Sequence, residues 1–444
     1  MALTGLDIYK LLPKTNCKEC GFATCLAFAM ALAQKKVSLD KCPHVTAQAK
    51  SALESASQPP IKLVTVGTGD KKLEMGNETV MYRHEQKFFH PTGIGILIED
   101  SLNDEEISKK VSAINALSFE RAGQNISVSL VCLKNTSGSK DAFIGLVSKV
   151  AGSTGLNIAL YSGSADAMAE ALKICKDRRP LIIWDGSGNI DAFIALAKEY
   201  KTPLAITCKD IDEAASIADK VKQGGVEEIV ISLKGKAQGG LIQNFTFIRR
   251  AALKKNFRPL GYPLMALTSE AKPHAELAEA ISYVAKYAGL VIIKNTDKEF
   301  VLPLLVARQD IYSDPQKPVQ VEPKIYEIGK VSPSSPVLIT TNFSITYFTV
   351  AGEVESSKVP SYILCCDSEG MSVLTAWAAE KFTPEKIDET MKKAGVEKIV
   401  SHKRLIIPGY VSVMSGKLEE VTGWKISVGP REASGLPNYL RNLK

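Results

Sequence analysis

Short runs of β-branched and aliphatic residues alternate with amphipathic segments through the middle of the chain. The apolar runs predict buried strands at Gly93–Ile98, Ile126–Cys132, Asn157–Tyr161, Leu181–Trp184, Leu204–Thr207, Glu228–Ser232, Pro263–Leu267 and Leu290–Ile293. Between them, segments such as Ala165–Lys176 and Ile211–Lys222 have the period of amphipathic helices. This alternation predicts a (β/α)8 TIM-type barrel, and a doubly wound sheet is the alternative.

A second, smaller alternation follows the proline-rich stretch Asp314–Pro323. The predicted strands are Val337–Thr340, Tyr362–Cys366, Arg404–Ile407 and Lys425–Val428. The predicted helices lie near Ser344–Val354, Met371–Phe382, Pro384–Ala394 and Val411–Thr422. The pattern predicts an open α/β sheet of Rossmann or flavodoxin type, which binds ligands at the carboxyl ends of its strands.

The first part of the chain follows neither pattern. A cysteine-rich loop lies between short helix-like segments, and a further helix is predicted near Val45–Ser55. Small polar residues before Pro59 and Pro60 predict a linker, since no helix continues through this pair. The runs Ile61–Val66 and Thr79–Phe89 predict a β-hairpin. We therefore predict four parts, with the cysteine module at 1–57, the linker and hairpin at 58–92, the barrel at 93–325 and the small α/β domain at 326–444.

Composition and charge narrow the class of protein. The chain has 444 residues, of which 45% are hydrophobic and 23% charged, and this balance is globular. The net charge is +7, but basic residues are mixed with acidic ones and no basic run contains stacking aromatics, so nucleic acid is not an expected partner. No signal peptide is recognisable at the start, and no apolar run reaches the roughly 18 residues of a membrane span. We expect a soluble, cytoplasmic protein that does not bind membranes.

The cysteines supply the strongest chemical signal. Four of the nine fall in the first 42 residues with the spacing C-x2-C-x4-C-x16-C-P, at Cys17, Cys20, Cys25 and Cys42. Thiolates at such spacings hold iron–sulfur clusters, and Gly21 permits the turn that the loop requires. Cys25 begins a predicted helix whose free N–H groups would face a negatively charged cluster. These residues predict one [4Fe–4S] cluster.

Structural zinc is the alternative for these four thiols. Zinc modules usually repeat a short spacing in their second pair of ligands, and this chain does not. The remaining cysteines lie far downstream, most of them in or beside apolar strands, where cysteine acts as a small hydrophobic residue. A redox role for the vicinal pair Cys365 and Cys366 is the weaker interpretation, because no base or cation lies nearby in sequence.

Three predicted strand ends in the last domain have loops suited to a bulky ligand. These are Thr340–Ser344, Asp367–Thr375 and Val428–Ser434. Gly370 and Gly429 permit close approach of the backbone, and a helix start after Gly370 would expose N–H groups. The pattern indicates a nucleotide-like ligand, whereas ordinary helix caps would show the same small polar residues.

Three segments together resemble a known family. They are the cysteine module, the connector Gly69–Pro91 (GDKKLEMGNETVMYRHEQKFFHP) and the tail Ile407–Ala433, which begins IPGYVSVMSGKLEE and ends VGPREA. The chain resembles, over its whole length, the large (gamma) subunit of the corrinoid iron–sulfur protein of the acetyl-CoA (Wood–Ljungdahl) pathway. The cysteine module alone is not specific, but the connector and tail together are.

The resemblance implies a C-terminal domain that binds one corrinoid. The implied contacts are Thr340, Thr346, Gly370, Met371, Ser372, Val373, Gly429, Pro430, Arg431, Glu432 and Ala433, with Thr375 approaching the lower side of the cobalt. The loop Thr340–Ser344 has no histidine, and His402 precedes a predicted strand at the wrong end of the sheet. We therefore expect a base-off corrinoid without a protein nitrogen ligand to cobalt.

The resemblance also implies a methyl carrier that is not a stand-alone enzyme. Cobalt would accept a methyl group from methyltetrahydrofolate through a methyltransferase and deliver it to the nickel site of acetyl-CoA synthase/CO dehydrogenase. The [4Fe–4S] cluster would return Co(II) to Co(I), and a small subunit would complete a heterodimer.

Two other functions remain open on the residues alone. One is a barrel enzyme with a ferredoxin-like module and no corrinoid, and the other is an electron carrier. Asp185, Lys209 and Asp210 lie at predicted strand ends, where barrel enzymes place catalytic residues. We interpret them as loop charges or helix N-caps and expect no catalytic residue, with the barrel serving as a scaffold.

Overall fold

The computed structural model describes residues 5–33, 37, 39–46, 59–121, 123–234, 238–270, 272–316 and 318–443. The chain divides into two compact units. Unit 1 comprises Met1–Leu117 and Ser127–Tyr312, and unit 2 comprises Ser118–Ile126 and Ser313–Lys444. Within the described ranges, no helix combines the length and the apolar character that crossing a bilayer requires.

In the part of the N-terminal cysteine module that the structure describes, the two α-helices are α1 (Gly5–Leu11) and α2 (Cys25–Ala33). They pack so closely that a Cβ on Gly5 would lie 2.3 Å from the Met30 sulfur, so a larger residue at this position would push the helices apart. Ile8 and Phe28 are buried between the helices together with Cys25. The predicted helix near residues 45–55 and most of the predicted linker lie outside the described residues.

A β-hairpin precedes the barrel and fills one of its ends. Strands β1 (Val64–Val66) and β2 (Leu73–Met75) pair antiparallel. Their side chains at Val64, Val66, Leu73 and Met75 join the core formed by inward-facing residues of the barrel. A Cβ on Gly93, at the start of the next strand, would lie 2.6 Å from Leu73, so this hairpin covers the amino-terminal end of the barrel.

The barrel in unit 1 is closed and parallel. Between β2 and the end of the barrel the strands are β3 (Gly93–Glu99), β4 (Ser118–Arg121), β5 (Gln124–Ser127), β6 (Leu130–Lys134), β7 (Asn157–Ser162), β8 (Leu181–Trp184), β9 (Leu204–Cys208), β10 (Ile229–Leu233), β11 (Leu264–Leu267) and β12 (Ala288–Ile293). β3 and β6–β12 close the barrel in chain order, while β4 and β5 form a separate hairpin. The predicted (β/α)8 barrel is confirmed, and the doubly wound alternative for this region is wrong.

Eight helices follow the barrel strands in turn. They are α3 (Asp104–Asn115), α4 (Lys140–Ala151), α5 (Ala165–Cys175), α6 (Ile190–Glu199), α7 (Ile211–Gln223), α8 (Gln238–Lys254), α9 (Pro273–Ala285) and α10 (Lys298–Ile311). Several of these helices are capped at their N-termini by polar side chains. At α3, the Asn103 side chain accepts the N–H of Glu106, and the Glu106 carboxylate accepts the N–H of Asn103. These two bonds form a capping box. Such caps place the start of each helix just beyond the end of its strand.

Two predicted strands differ from the structure. The run Ile126–Cys132 is divided, because β5 ends at Ser127 and the barrel strand β6 begins at Leu130. The segment Thr79–Phe89 is not a strand, and β2 pairs with β1 instead. In that segment the Glu78 carboxylate accepts the backbone N–H groups of Phe89 and His90 at 2.8 and 3.1 Å. A buried side chain therefore takes the place of a strand partner, which periodicity does not reveal.

Arg249 of α8 holds the segment after β2 in place. Arg249 and Glu78 are both buried, and their nearest nitrogen and oxygen lie 3.4 Å apart. The guanidinium also donates to the carbonyl oxygen of Val80 at 2.6 Å. It lies 5.0 and 4.7 Å from the ring centroids of Phe88 and Tyr287. Burial lowers the pKa of Arg249, and the Glu78 carboxylate opposes this effect.

Unit 2 is built around a five-stranded sheet. Its strands are β13 (Ile325–Ile328), β14 (Val337–Thr341), β15 (Ser361–Cys366), β16 (Arg404–Ile407) and β17 (Lys425–Val428), in the order β13-β15-β14-β16-β17. Its helices are α11 (Ser344–Ser357), α12 (Val373–Ala378), α13 (Pro384–Ala394), α14 (Val396–Ile399), α15 (Ser415–Thr422) and α16 (Leu436–Arg441). The predicted four parallel strands are present, and β13 adds an antiparallel edge strand that the sequence pattern did not indicate.

We expect Arg249→Met to destabilise the barrel by about 3–5 kcal/mol, the usual cost of leaving one partner of a buried ion pair uncompensated. The methionine fills much of the volume of the arginine but leaves the Glu78 carboxylate buried without its cation. Urea unfolding of the variant and the parent protein measures the difference in free energy.

Two matched variants complete this test. The double change Glu78→Gln and Arg249→Met removes both charges, so it should recover part of the loss. Lys220→Met breaks the exposed pair with Asp191, whose atoms lie 2.8 Å apart, and should change the unfolding free energy little. An Arg249→Met variant as stable as Lys220→Met would show that the buried pair does not hold this segment.

Candidate functional site

The sheet of unit 2 has one position where neighbouring strands lead the chain in opposite directions. β14 connects through α11 to β15 on one side of it, whereas β16 connects through α15 to β17 on the other side. β14 and β16 pair in register only at Leu338 and Ile406. A crevice therefore opens beyond their carboxyl ends, as expected at the switch point of an open α/β sheet.

A cleft of about 320 Å³ occupies this crevice. Nine of the predicted ligand contacts line it: Thr340, Thr346, Ser372, Val373, Gly429, Pro430, Arg431, Glu432 and Ala433. The sequence analysis did not identify the apolar floor and walls, which are formed by Leu338, Ile339, Ile345, Thr349, Val350, Leu374, Ile406, Ile407, Pro408, Tyr410 and Leu436. Such residues look like ordinary core positions in sequence, and only the opening of the sheet exposes them to a ligand.

Thr340 supplies an unpaired hydroxyl to the cleft. The residue is 2% exposed, and its Oγ1 has no hydrogen-bond partner in the structure. A buried hydroxyl without a partner costs free energy, so the Thr340 hydroxyl is available to a polar group of a ligand in the cleft. A largely apolar cleft with such a hydroxyl fits a large organic cofactor that combines apolar surface with polar side groups.

Three predicted contacts, Gly370, Met371 and Thr375, are not among the residues that line the cleft. Gly370 adopts φ +74°, and a Cβ there would lie 2.7 Å from Gln320 and 3.0 Å from the carbonyl oxygen of Pro318. Met371 packs on the core of the sheet. The Thr375 hydroxyl forms a 3.0 Å hydrogen bond with the Ser372 hydroxyl at the start of α12. These residues shape the loop from the second strand, and their approach to a ligand remains a prediction.

Asn342 organises this loop and was missing from the predicted site. It is 1% exposed, and its Oδ1 accepts hydrogen bonds from Ser368 N–H, Ser368 Oγ–H and Gly370 N–H at 2.9, 2.9 and 3.1 Å. Its Nδ2 donates to Gln320 and Asp367 at 3.1 and 3.2 Å. An asparagine directly after a buried strand was the available signal, since this side chain can bind backbone groups of a neighbouring loop.

The N-terminal loop gathers the four predicted cluster ligands. Cys17 and Cys20 are partly exposed, while Cys25 and Cys42 are buried. Gly21 has φ +83° and its N–H donates to the Lys18 carbonyl oxygen at 2.9 Å, which closes a turn that contains the second cysteine, Cys20. Cys25 is the first residue of α2, where backbone N–H groups are free of intrahelical partners.

Cys17 lies close to two other side chains that can bind a metal ion. Across the described ranges, the one group of three or more candidate metal-binding atoms within 4.8 Å of one another is formed by Cys17, Glu19 and His44. His44 and Glu19 already bond to each other at 3.0 Å. Of this group, Cys17 alone belongs to the four predicted cluster ligands.

The downstream cysteines are buried and protonated. Desolvation raises the pKa of Cys132 and Cys208 to about 12 and of Cys175 to about 11. Burial also raises the pKa of Cys365 and of Cys366, which lie in β15. Thiols that resist ionisation are poor nucleophiles and poor metal ligands, so these residues act as core side chains.

The residues at the carboxyl end of the barrel serve its own loops. Asp210 accepts the N–H of Glu213 at 2.8 Å as an N-cap of α7, and Asp185 accepts the N–H of Ser187 at 2.7 Å. The Lys209 N–H donates to the Glu213 carboxylate at 2.6 Å. These contacts agree with the interpretation of the three residues as caps and loop charges.

Two buried carboxylates of α9 occupy the loops after β11 and β12. Glu276 accepts the N–H groups of Lys294 and Asn295 at 2.7 and 3.1 Å. Glu279 accepts the N–H groups of Ser269 and Glu270 at 2.9 and 3.1 Å. Barrel enzymes often bind a substrate phosphate at the loops after their last two strands. Here the protein's own side chains saturate those N–H groups, which suits a scaffold.

Comparison with known proteins shows which families and relatives this chain is similar to. A family model described as "CO dehydrogenase/acetyl-CoA synthase delta subunit" matches residues 63–440, and one described as "Putative Fe-S cluster" matches residues 12–44. The corrinoid/iron-sulfur protein large subunit of Moorella thermoacetica is 47% identical over 99% of both chains. The acetyl-CoA decarbonylase/synthase complex subunit gamma of Methanothermobacter thermautotrophicus is 34% identical over 100% of this chain and 99% of its own.

A solved structure shows a weaker likeness. A dihydropteroate synthase from Vibrio fischeri aligns with 56% of this chain and 99% of its own at 13% identity, with a TM-score of 0.40. This level of similarity says nothing about function. The family model and the full-length relatives show the family. The chain belongs to the CO dehydrogenase/acetyl-CoA synthase delta subunit family, in the group that contains the corrinoid/iron-sulfur protein large subunit and the archaeal gamma subunits.

Proposed function

We propose that this protein is a methyl carrier that holds a corrinoid in the cleft of unit 2 and a [4Fe–4S] cluster in its N-terminal module. The main support is the switch-point cleft with the unpaired Thr340 hydroxyl, in a chain 47% identical to a corrinoid/iron-sulfur protein large subunit. When bound, a corrinoid supplies a cobalt centre that accepts a methyl group and passes it on. The methyl group would come from methyltetrahydrofolate through a methyltransferase and go to acetyl-CoA synthase.

The chain's own residues would bind and orient the cofactor. Thr340 offers a hydroxyl, and Gly429 leaves room for close approach because a Cβ there would already lie 3.1 Å from the Ile407 carbonyl oxygen. Ser372 is the N-cap of α12 and lines the cleft, so N–H groups of the first turn, which lack intrahelical partners, are close to the proposed cofactor. The remaining cleft lining is largely apolar and would exclude water from the macrocycle.

The position of His402 supports a base-off cofactor. In unit 2 the sequence has no other histidine. The His402 ring nitrogens contact the Ser335 carbonyl oxygen at 3.0 Å and the Arg404 N–H at 3.2 Å, just before β16 begins. The ring is therefore engaged at the amino end of the strand, whereas the cleft lies at the carboxyl end. This arrangement supplies no protein nitrogen ligand to cobalt.

The cleft rim supports a protein partner that covers the cofactor. Ile345, Leu374 and Tyr410 line the cleft yet remain 66%, 45% and 41% exposed, and the nearby Val413 is 73% exposed. Apolar side chains around an open cleft mark a surface that another protein covers. The proposed partners are a small subunit in a heterodimer, the methyltransferase and acetyl-CoA synthase/CO dehydrogenase, each contacting this rim at a different stage.

The first test is the metal content and visible spectrum of the anaerobically purified full chain with its small subunit. We expect iron and cobalt in a ratio of about four to one, together with corrinoid absorption bands. A barrel enzyme or an electron carrier with the cysteine module would contain iron alone. Protein with iron but no cobalt, after exposure to excess corrinoid, would contradict the proposed function.

Thr340→Val should weaken corrinoid binding by about tenfold, because the valine keeps the shape of the side chain but cannot donate or accept a hydrogen bond. The variant without cofactor should be as stable as the parent protein or slightly more stable, since an unpaired buried hydroxyl is removed. Titration of the apoprotein with cobalamin, followed by visible absorption, measures the affinity.

Thr341→Val is the matched control for this change. Its hydroxyl is also buried without a partner, but the residue does not line the cleft. Affinity for cobalamin should therefore stay at the parent value. An equal loss of affinity in both variants would show that the Thr340 hydroxyl is not a specific contact.

Cys25→Ser should lower the iron content, because a serine hydroxyl is a poor replacement for a thiolate ligand of iron. It should also slow the reductive recovery of protein whose cobalt has been oxidised to Co(II). Cys175→Ala, which removes a downstream core thiol, should leave both properties unchanged. Iron analysis and the rate of recovery with a low-potential reductant measure the effect. Full recovery in Cys25→Ser would contradict the proposed role of the cluster.

A further inference from the structure

Asn16 and Cys25 form two reciprocal hydrogen bonds across the cysteine loop. The backbone N–H of Asn16 donates to the Cys25 sulfur at 3.4 Å. The Asn16 Oδ1 accepts the backbone N–H of Cys25 at 2.8 Å. Because Asn16 directly precedes Cys17, these bonds join the two ends of the segment that carries the first three cysteines. They fix the distance between the first and third cysteines.

The backbone of Asn16 explains why this residue suits the position. Its φ is +49°, in the left-handed region, where asparagine is among the few non-glycine residues that are readily accommodated. This conformation turns the Asn16 N–H toward the Cys25 sulfur. Glycine would adopt it as easily but has no side chain to accept the Cys25 N–H. Alanine would lack the acceptor and would also be strained.

The side-chain bond satisfies a donor that the helix leaves free. Cys25 is the first residue of α2, so its N–H has no intrahelical acceptor. Thr24 Oγ1 accepts the N–H of Ala27 at 3.1 Å, and Asn16 accepts the N–H of Cys25. Two different side chains thus cap this helix, and only the Asn16 contact also holds a proposed iron ligand.

A hydrogen bond to a cluster sulfur also affects electron transfer. The reduced form of a cluster carries more negative charge on its sulfurs than the oxidised form, so an N–H donor stabilises the reduced form more. Hydrogen bonds to the sulfurs are among the factors that set cluster reduction potentials. If the Asn16 N–H keeps its present direction in the loaded protein, it raises the potential.

We propose that Asn16 is a positioning residue that holds Cys25 as a cluster ligand and raises the reduction potential of the cluster. This inference rests on the proposed function, because it requires a cluster on the four cysteines. Asn16 makes no contact with the iron itself. It acts through the orientation of one N–H group and one cysteine.

Three variants separate the contributions of Asn16 in the full-length, anaerobically purified protein. Asn16→Gly keeps the backbone N–H and the left-handed conformation but loses the side-chain acceptor, so iron release to ferrozine should be about fivefold faster. Because the side-chain bond then no longer holds this N–H against the Cys25 sulfur, the reduction potential should also be lower. Asn16→Asp keeps both the acceptor and the backbone conformation, so it should release iron at the parent rate. Lys18→Ala changes another left-handed loop residue, with φ +68° and no contact with Cys25, and should also keep the parent rate.

The readouts are the rate of iron release, the midpoint of a redox titration and the EPR spectrum of the reduced cluster. A purely structural role in the loop would change folding but not the midpoint potential of the cluster that remains. An iron-loaded parent protein with an unchanged Asn16→Gly variant would overturn this inference alone. A parent protein that never binds iron would overturn the proposed cluster together with it.

Discussion

The crevice between β14 and β16 is the constraint on which the functional part of this structure depends. A parallel sheet whose connections leave in opposite directions cannot cover the carboxyl ends of its two central strands with the same helix. The gap exposes side chains that would otherwise be core, and it leaves the Thr340 hydroxyl buried but unpaired. Asn342 then uses its amide to hold the neighbouring loop open around this gap. The site is therefore a consequence of topology, with a few polar groups placed to use it.

The described ends of the barrel are occupied by segments and side chains of the protein itself. Its amino-terminal end is filled by the β1–β2 hairpin, and the buried pair of Arg249 and Glu78 fixes the segment that follows. At its carboxyl end, Glu276 and Glu279 saturate the backbone groups that barrel enzymes offer to substrates. The proposed cofactor sites lie in the cysteine module and in the sheet of unit 2. Lys14, Asn16 and Lys18 all adopt positive φ in or beside the cysteine loop.

Much of the fold could be predicted from periodicity, and the exceptions have physical reasons. All eight barrel strands and four of the five strands in the large sheet of unit 2 lie within or overlap the predicted runs, because buried parallel strands need uninterrupted apolar residues. The segment Thr79–Phe89 has strand-like composition but is held by a buried carboxylate and a distant arginine. Edge strand β13 is short and half exposed, so its pattern is weak. Nine of the predicted ligand contacts line the cleft, whereas Gly370, Met371 and Thr375 do not.

The sequence by itself determined the alternation of strands and helices, the cysteine spacing and the family, since these depend on local pattern and on residue identity. Only the tertiary structure decided which apolar residues line the cleft, because Leu338 and Ile406 look like any core residues until the strands that carry them separate. It also decided which polar groups remain unpaired and which cysteine Asn16 holds. Hydrogen-bond partners distant in sequence follow from the packing of whole elements, and no local pattern encodes that packing.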